Sequence, residues 1–452
     1  MKTNSDEVHK QEMLLKKIRQ SSEVFDKLAN SYEVWVPEGG WLAGRRNRDK
    51  NDSKRKNLTD WSILSFLLEI DNCHYPMADS YLQYGIDGVI RIAAETLETL
   101  KNNLQSELQD QTQLDIAYLE SLLHVWKRFR QFVADHMVLA LECAKQETSD
   151  TKKKRYEKIA KICQNLTINK PNTFCEALQL FWFTYLFRSP FGAGCIGRLD
   201  QLLYPFYKHD CEMGIWDQQE AEKMLEEMFT RMNEINTGDT LRNLMLSGQD
   251  AKGNDQTNEI TYLILVAYEN TGGSEPHLNV RFHEKTPKKL RDNCINMLSS
   301  GSGQPTIYFD EAVLPAMEKA GICHEDACQY ANDGCTETVI AGKSAIVFWQ
   351  YEMVKTVELT LFGGNENPCV KPVSMKKNSI HGADFVPKTN LLIGIESKKP
   401  QELTTFSEFL SAFFEQMDHQ LDHYFLMIKQ KMQEDQTVSI TSPFTAGTFE
   451  KC

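Results

Sequence analysis

Two short β-prone runs, Leu278–Phe282 and Thr306–Phe309, flank a helix that Thr286-Pro287 begins, all within about thirty residues. A strand, a helix and a second strand at that spacing form a βαβ unit. Its two strands must run parallel, because no short turn can return the chain to the same end of the sheet. Parallel strands need helices over their faces, so the chain belongs among helix-rich α/β folds. A further helix is expected after Asp310 and another over His324 to Tyr330.

The surrounding sequence supplies those helices. Ile116, Leu119, Leu123, Trp126, Phe129, Val133 and Met137 recur at helical spacing and predict one long helix over Gln111 to Gln146 with a buried stripe. Capping boxes open three more: Thr173 with Glu176 before the helix through Phe187, Asp217 with Glu220 before the one to Asn233, and Thr405 with Glu408 before the one through Leu426. The stretch from Gly363 to Lys388, rich in Gly, Pro, Asn and Lys, reads as a surface excursion within one domain.

At 452 residues the chain can bury a large core. A net charge of −13 excludes nucleic acid and anionic membrane surfaces as partners of choice. The basic run Lys152 to Arg155 reads as a solvated helix end. Met1 to Met13 carries no apolar stretch, and the apolar run Ala177 to Phe187 is too short to span a bilayer, so a cytoplasmic protein is expected. Twelve scattered cysteines lack the paired spacing of a disulfide framework and are expected to be reduced, most of them buried.

The sharpest chemical signal is Asn332-Asp333-Gly334-Cys335-Thr336-Glu337. A glycine beside a cysteine allows a tight turn that drives the sulfur into a cavity. A carboxylate two residues on can serve the same substrate as a general base. Taken alone the pattern is weak, and a buried structural cysteine is the ordinary reading.

The ordered set of motifs around it resembles the glycyl radical enzyme superfamily of pyruvate formate-lyase and diol-dehydratase type. The set comprises His74-Tyr75-Pro76 through Gly88, Thr173 to Phe183, Gly197-Arg198-Leu199-Asp200-Gln201 with Tyr204-Pro205 and Asp210, Gly253-Asn254-Asp255 with Thr257-Asn258-Glu259, Pro276 to His283, Gly303-Gln304-Pro305, Asp310-Glu311 and Glu325-Asp326-Ala327. That resemblance implies a ten-stranded α/β barrel of two five-stranded halves, ringed by helices, with a Cys loop and a Gly loop meeting at its centre. It implies that an activating enzyme using S-adenosylmethionine and an iron–sulfur cluster places a radical on the glycine, with no bound cofactor or metal in the protein. Cys335 would then carry the thiyl radical and Glu337 would act as base. His74 would touch substrate or else sit hydrogen-bonded in the core. Trp349 and Tyr351 would line the pocket or else pack a helix start.

Glu337 marks the lyase and dehydratase branches, so elimination of a C–O, C–N or C–S bond or decarboxylation of a small polar metabolite is expected. Pyruvate formate-lyase has two adjacent cysteines where Gly334 and Cys335 stand here, which counts against formate acetyltransferase-like acyl transfer. No Arg-Val-x-Gly-aromatic motif of the Gly loop occurs, and Ser442-Pro443-Phe444 and Glu450-Lys451-Cys452 resemble the family's midpoint. Residues 1–452 are therefore expected to form an incomplete pyruvate formate-lyase-like domain, the first half-barrel with the Cys loop. Such a chain would be inert alone, as a fragment or as one subunit of a split enzyme that needs a second chain bearing the Gly loop, and dimeric when complete. A rival is a thiol–metal protein built on Cys323, His324, Cys328 and Cys335.

Overall fold

A computed structural model describes residues 4–45, 80–102, 110–188, 194–215, 217–234, 242–272, 275–334, 337–344, 353–365, 394–398 and 400–435. The chain divides into two compact units, Met1–Ile346 with Ile440–Cys452, and Val347–Ser439. The first begins with helices α1 (Asn4–Ser31), α2 (Ser80–Asn102), α3 (Asp110–Gln146), α4 (Asp150–Ile168) and α5 (Phe174–Arg188). The helix expected from the 116–137 stripe is α3, and Trp126, Phe129 and Val133 of that stripe are buried. The basic run lies on the first turns of α4, with Lys152, Lys153 and Lys154 exposed.

α5 shows no solvated face beyond Glu176; every other residue from Phe174 to Arg188 is buried. A helix that is apolar all round belongs at the centre of a core. Its Phe183 and Phe187 meet Phe25 of α1, Tyr32 just beyond it, and Phe129 and Phe132 of α3, mostly edge to face. Thr173 and Glu176 form the expected capping box at its start.

The sheet comes next: β1 (Gly194–Gly197), α6 (Leu199–Glu212), α7 (Gln218–Asn233), β2 (Arg242–Ser247), α8 (Glu259–Thr271), β3 (His277–Phe282), α9 (Lys288–Ser299) and β4 (Thr306–Phe309). The four strands lie in the order β1-β2-β3-β4, all parallel, so the βαβ unit read at residues 278–309 is one of three in succession. Strand alternation sorts side chains between two faces. Ile196, Leu244, Leu246, Leu278 and Val280 enter the large core shared with the helices. Cys195 and Met245 turn the other way into a second cluster, with Tyr308 packed against it, and Asn243, Asn279 and Arg281 alternate onto that same face.

That second face is covered by the elements beyond β4: α10 (Asp310–Lys319), the single turn α11 (His324–Ala327), and an antiparallel hairpin of β5 (Ala331–Asp333) and β6 (Glu337–Val339). The helix expected over His324 to Tyr330 stops at Ala327. The carbonyls of Cys328 and Tyr330 are taken by arginine side chains instead of continuing a helical ladder.

The second unit contains α12 (Met353–Leu361), a short 3₁₀ turn at Pro400–Glu402, and α13 (Phe406–Asp435). Thr356 donates to Gln420 at 2.8 Å between the two helices. Thr405 and Glu408 cap α13 as the sequence suggests. The helix runs nine residues past the expected Leu426, through Lys, Gln, Met and Glu, residues that favour helix. Most of the Gly363–Lys388 stretch lies outside the described residues.

Candidate active site

The hairpin is fastened to the polar face of the sheet by main-chain bonds. The Cys195 thiol on β1 donates to the Asn332 carbonyl, and the Asn243 amide on β2 donates to the Gly334 carbonyl. Asn279 on β3 braces Asn243 by an amide–amide bond of 2.8 Å. Cys195 is fully buried, and burial, reinforced by the neighbouring Asp333 charge, pushes its thiol well above the ordinary range. It is a hydrogen-bond donor with a structural role and not a nucleophile.

Gly334 follows β5 and Glu337 opens β6. Gly334 adopts φ +41°, and a Cβ there would lie 3.2 Å from Glu337 Oε2. The Glu337 carboxylate therefore folds back toward Gly334. Glu337 stands opposite Asp333 in the hairpin register. Tyr308 of β4 also faces this corner: burial first, and the Glu337 charge second among the raising effects, hold its phenol above the usual value, while a bond to Asn332 opposes them. Of the residues singled out by sequence, Glu337 is described; Cys335, His74, Trp349 and Tyr351 lie outside the described residues.

Below the turn sits a buried charge network that sequence reading quoted as motif without assigning a role. Arg281 of β3 donates through Nε and Nη2 to the two oxygens of Asp310, each at 2.8 Å, and both residues are fully buried. Its Nη1 donates to the Cys328 carbonyl at 2.8 Å, and its guanidinium stacks 4.1 Å from the Tyr330 ring. Arg198 reaches the same Cys328 carbonyl at 3.3 Å and the Ser247 carbonyl at 2.8 Å. Burial and the nearby Arg281 bring the Arg198 pKa down to about 10, still charged near neutrality. Asp200 accepts from Ser247 N and Thr261 Oγ1, both at 2.8 Å. Burial raises its carboxyl, and Arg198 and these bonds oppose the shift. The signal was present: in His277-Leu278-Asn279-Val280-Arg281-Phe282, period two places Arg281 opposite the apolar residues.

The thiol–metal constellation comes together in part. His324 Nε2 lies 3.6 Å from Cys328 Sγ, while its Nδ1 is held by Glu318. Among the described residues no group of three or more side chains is arranged to hold a metal ion. No described helix is long and apolar enough to cross a membrane.

An antiparallel hairpin thus lies across the polar face of a parallel α/β sheet. The chain belongs to the pyruvate formate lyase-like family, whose profile matches residues 73–441. It is 31% identical over 301 residues to the trans-4-hydroxy-L-proline dehydratase of Clostridioides difficile, covering 63% of this chain and 36% of that protein. It is 28% identical over 333 residues to the isethionate sulfite-lyase of Oleidesulfovibrio alaskensis, covering 68% and 37%. A solved structure from work on 1,2-propanediol dehydration in Roseburia inulinivorans superposes with a TM-score of 0.76 at 18% identity, over 97% of this chain and 61% of the other. The fold is thus part of the family's α/β barrel. The match spans little more than a third of these curated relatives.

Proposed function

We propose that this chain supplies the Cys-loop portion of a glycyl radical lyase or dehydratase acting on a small polar metabolite. The observation that carries the reading is the Glu337 carboxylate folded back toward Gly334, the residue before Cys335 in sequence, on the polar face of the sheet. The glycyl radical, stored on a Gly loop of which this sequence has no matching motif, supplies the one-electron oxidising power. Cys335, as a thiyl, takes a hydrogen atom from a substrate carbon and becomes a thiol. Glu337 accepts the proton of the neighbouring O–H or N–H, and the leaving group on the adjacent carbon departs with its bonding pair. The product radical then takes the hydrogen atom back from the Cys335 thiol. Decarboxylation would use the same first step. A single cysteine beside Gly334 supports this chemistry over acyl transfer.

His74, Trp349 and Tyr351 are proposed to bind substrate. Partners are a radical S-adenosylmethionine activating enzyme and, in the complete assembly, a second copy; the setting is the cytoplasm. The test is anaerobic activation of the assembled enzyme, read as a doublet paramagnetic signal. Turnover is then assayed with a hydroxylated amino acid such as trans-4-hydroxyproline, with isethionate, a diol and an arylacetate. Cys335→Ala is expected to keep the doublet and form no product. An activated Cys335→Ala enzyme that still turns over would sink the proposal.

A further inference from the structure

We propose that Arg281, locked against Asp310, is the positioning residue that sets where the Cys335 turn stands against substrate; this deepens the radical reading and rests on it. A buried ion pair contributes little net stability compared with apolar residues of the same volume. A fully buried Arg–Asp pair at the foot of this hairpin therefore needs another reason, and its hydrogen bonds supply one. Both Asp310 oxygens engage Nε and Nη2 at 2.8 Å, which fixes the plane of the guanidinium. The remaining nitrogen is aimed at the Cys328 carbonyl at 2.8 Å and the Tyr330 carbonyl at 3.4 Å. The Tyr330 hydroxyl closes the circuit by donating to Asp310 Oδ1 at 3.1 Å.

The next residue, Ala331, begins β5, and Cys335 comes four residues further on. The grip thus acts on the root of the strand Ala331–Asp333, which leads in sequence to Cys335. The sheet side is shaped to the same group. Gly248, at φ +98°, lies flat on the guanidinium, and a Cβ there would come 2.5 Å from Arg281 Cζ. Main-chain bonds from Cys195 and Asn243 hold the hairpin at two later points. Together the contacts fix its height over the sheet and its register.

In the activated assembly, Arg281→Lys replaces a planar fork with a point charge that cannot meet two carboxylate oxygens and two carbonyls together. The doublet is expected at wild-type amplitude, with KM within about threefold and kcat down about 100-fold, the scale of a displacement near 1 Å. The paired change Arg281→Met with Asp310→Leu removes both charges while keeping volume, a replacement folds often tolerate. It is expected to melt near the wild type and still turn over about 100-fold more slowly. Either variant turning over within threefold of wild type overturns the proposal, as does a kcat loss that merely tracks the folded fraction. Absence of doublet and turnover in the wild type would instead refute the radical reading. In that case amide exchange at residues 329–334 decides the clamp: tenfold or more acceleration in Arg281→Lys supports it, and unchanged exchange overturns it.

Discussion

The two faces of the parallel sheet are both buried, yet they are built on opposite rules. Toward the helices, Leu244, Leu246, Leu278 and Val280 pack into a core whose centre is α5, and specificity there comes from shape. Toward the hairpin, Asn243 and Arg281 donate to carbonyls of a segment with little regular structure of its own, while Asn279 braces Asn243 and Arg198 bridges the Cys328 and Ser247 carbonyls. The first face holds the sheet together. The second devotes its burial to keeping the β5–β6 hairpin in one place, and directional bonds do that better than apolar contacts. The same contrast separates two buried titratable sites. Arg281 and Asp310 are matched oxygen for nitrogen. His136, packed among Phe132 and Phe183, has Nδ1 bonded to the Phe132 carbonyl, while Nε2 finds no hydrogen-bond partner among the described residues.

If the division of labour holds, the largest effect comes from the hairpin side. Glu337→Gln keeps size and hydrogen bonding but cannot take a proton, so kcat should fall by about 10²–10⁴ with the doublet retained and the melting temperature unchanged. Turnover at wild-type rate would mean that Glu337 only shapes the turn.

On the helix side the expected pattern inverts. Leu246→Ala, at a fully buried position, should cost about 2–5 kcal/mol in denaturant unfolding while leaving kcat per folded molecule near wild type. A kcat loss beyond the folded fraction would show that the two faces are not separable.

The smallest effect is pH-dependent. Burial lowers the His136 pKa from 6.5 to about 4, with the Phe132 carbonyl bond and the Asp135 charge opposing the shift. The unfolded chain thus binds the proton more tightly, and stability falls as pH drops from about 6.5 toward 4. Near pH 5 the loss should be about 2 kcal/mol relative to pH 7. His136→Leu should remove that part of the acid sensitivity when urea unfolding is compared at the two pH values. Equal slopes in wild type and variant would count against the neutral, buried imidazole.

How far each segment was legible in the sequence depends on where its determinants lie. Long periodic stretches such as 116–137 and the β-branched, aromatic runs at 278–282 and 306–309 declare themselves locally, as do the side-chain caps at Thr173, Asp217 and Thr405. β2 did not, because Arg242-Asn243-Leu244-Met245-Leu246-Ser247 carries little β-branched character and becomes a strand through its neighbours on both sides. The end of α11 was hidden for a related reason. Residues 328–330 satisfy helical spacing, and only the distant Arg198 and Arg281 decide where their carbonyls go. The Gly-Cys-x-Glu turn was visible as a motif. Its anchoring was not, since Cys195, Asn243 and Tyr308 come from three separate strands.

Arginine at the hairpin's foot grips peptide carbonyls, a group that every residue carries. Apart from Tyr330, whose ring and hydroxyl take part, such an anchor is indifferent to the side chains of the segment it holds. Substitutions around the hairpin, away from Gly334, Cys335 and Glu337, can therefore accumulate without unseating it, so a lineage can drift from one substrate to another while inheriting the same mount.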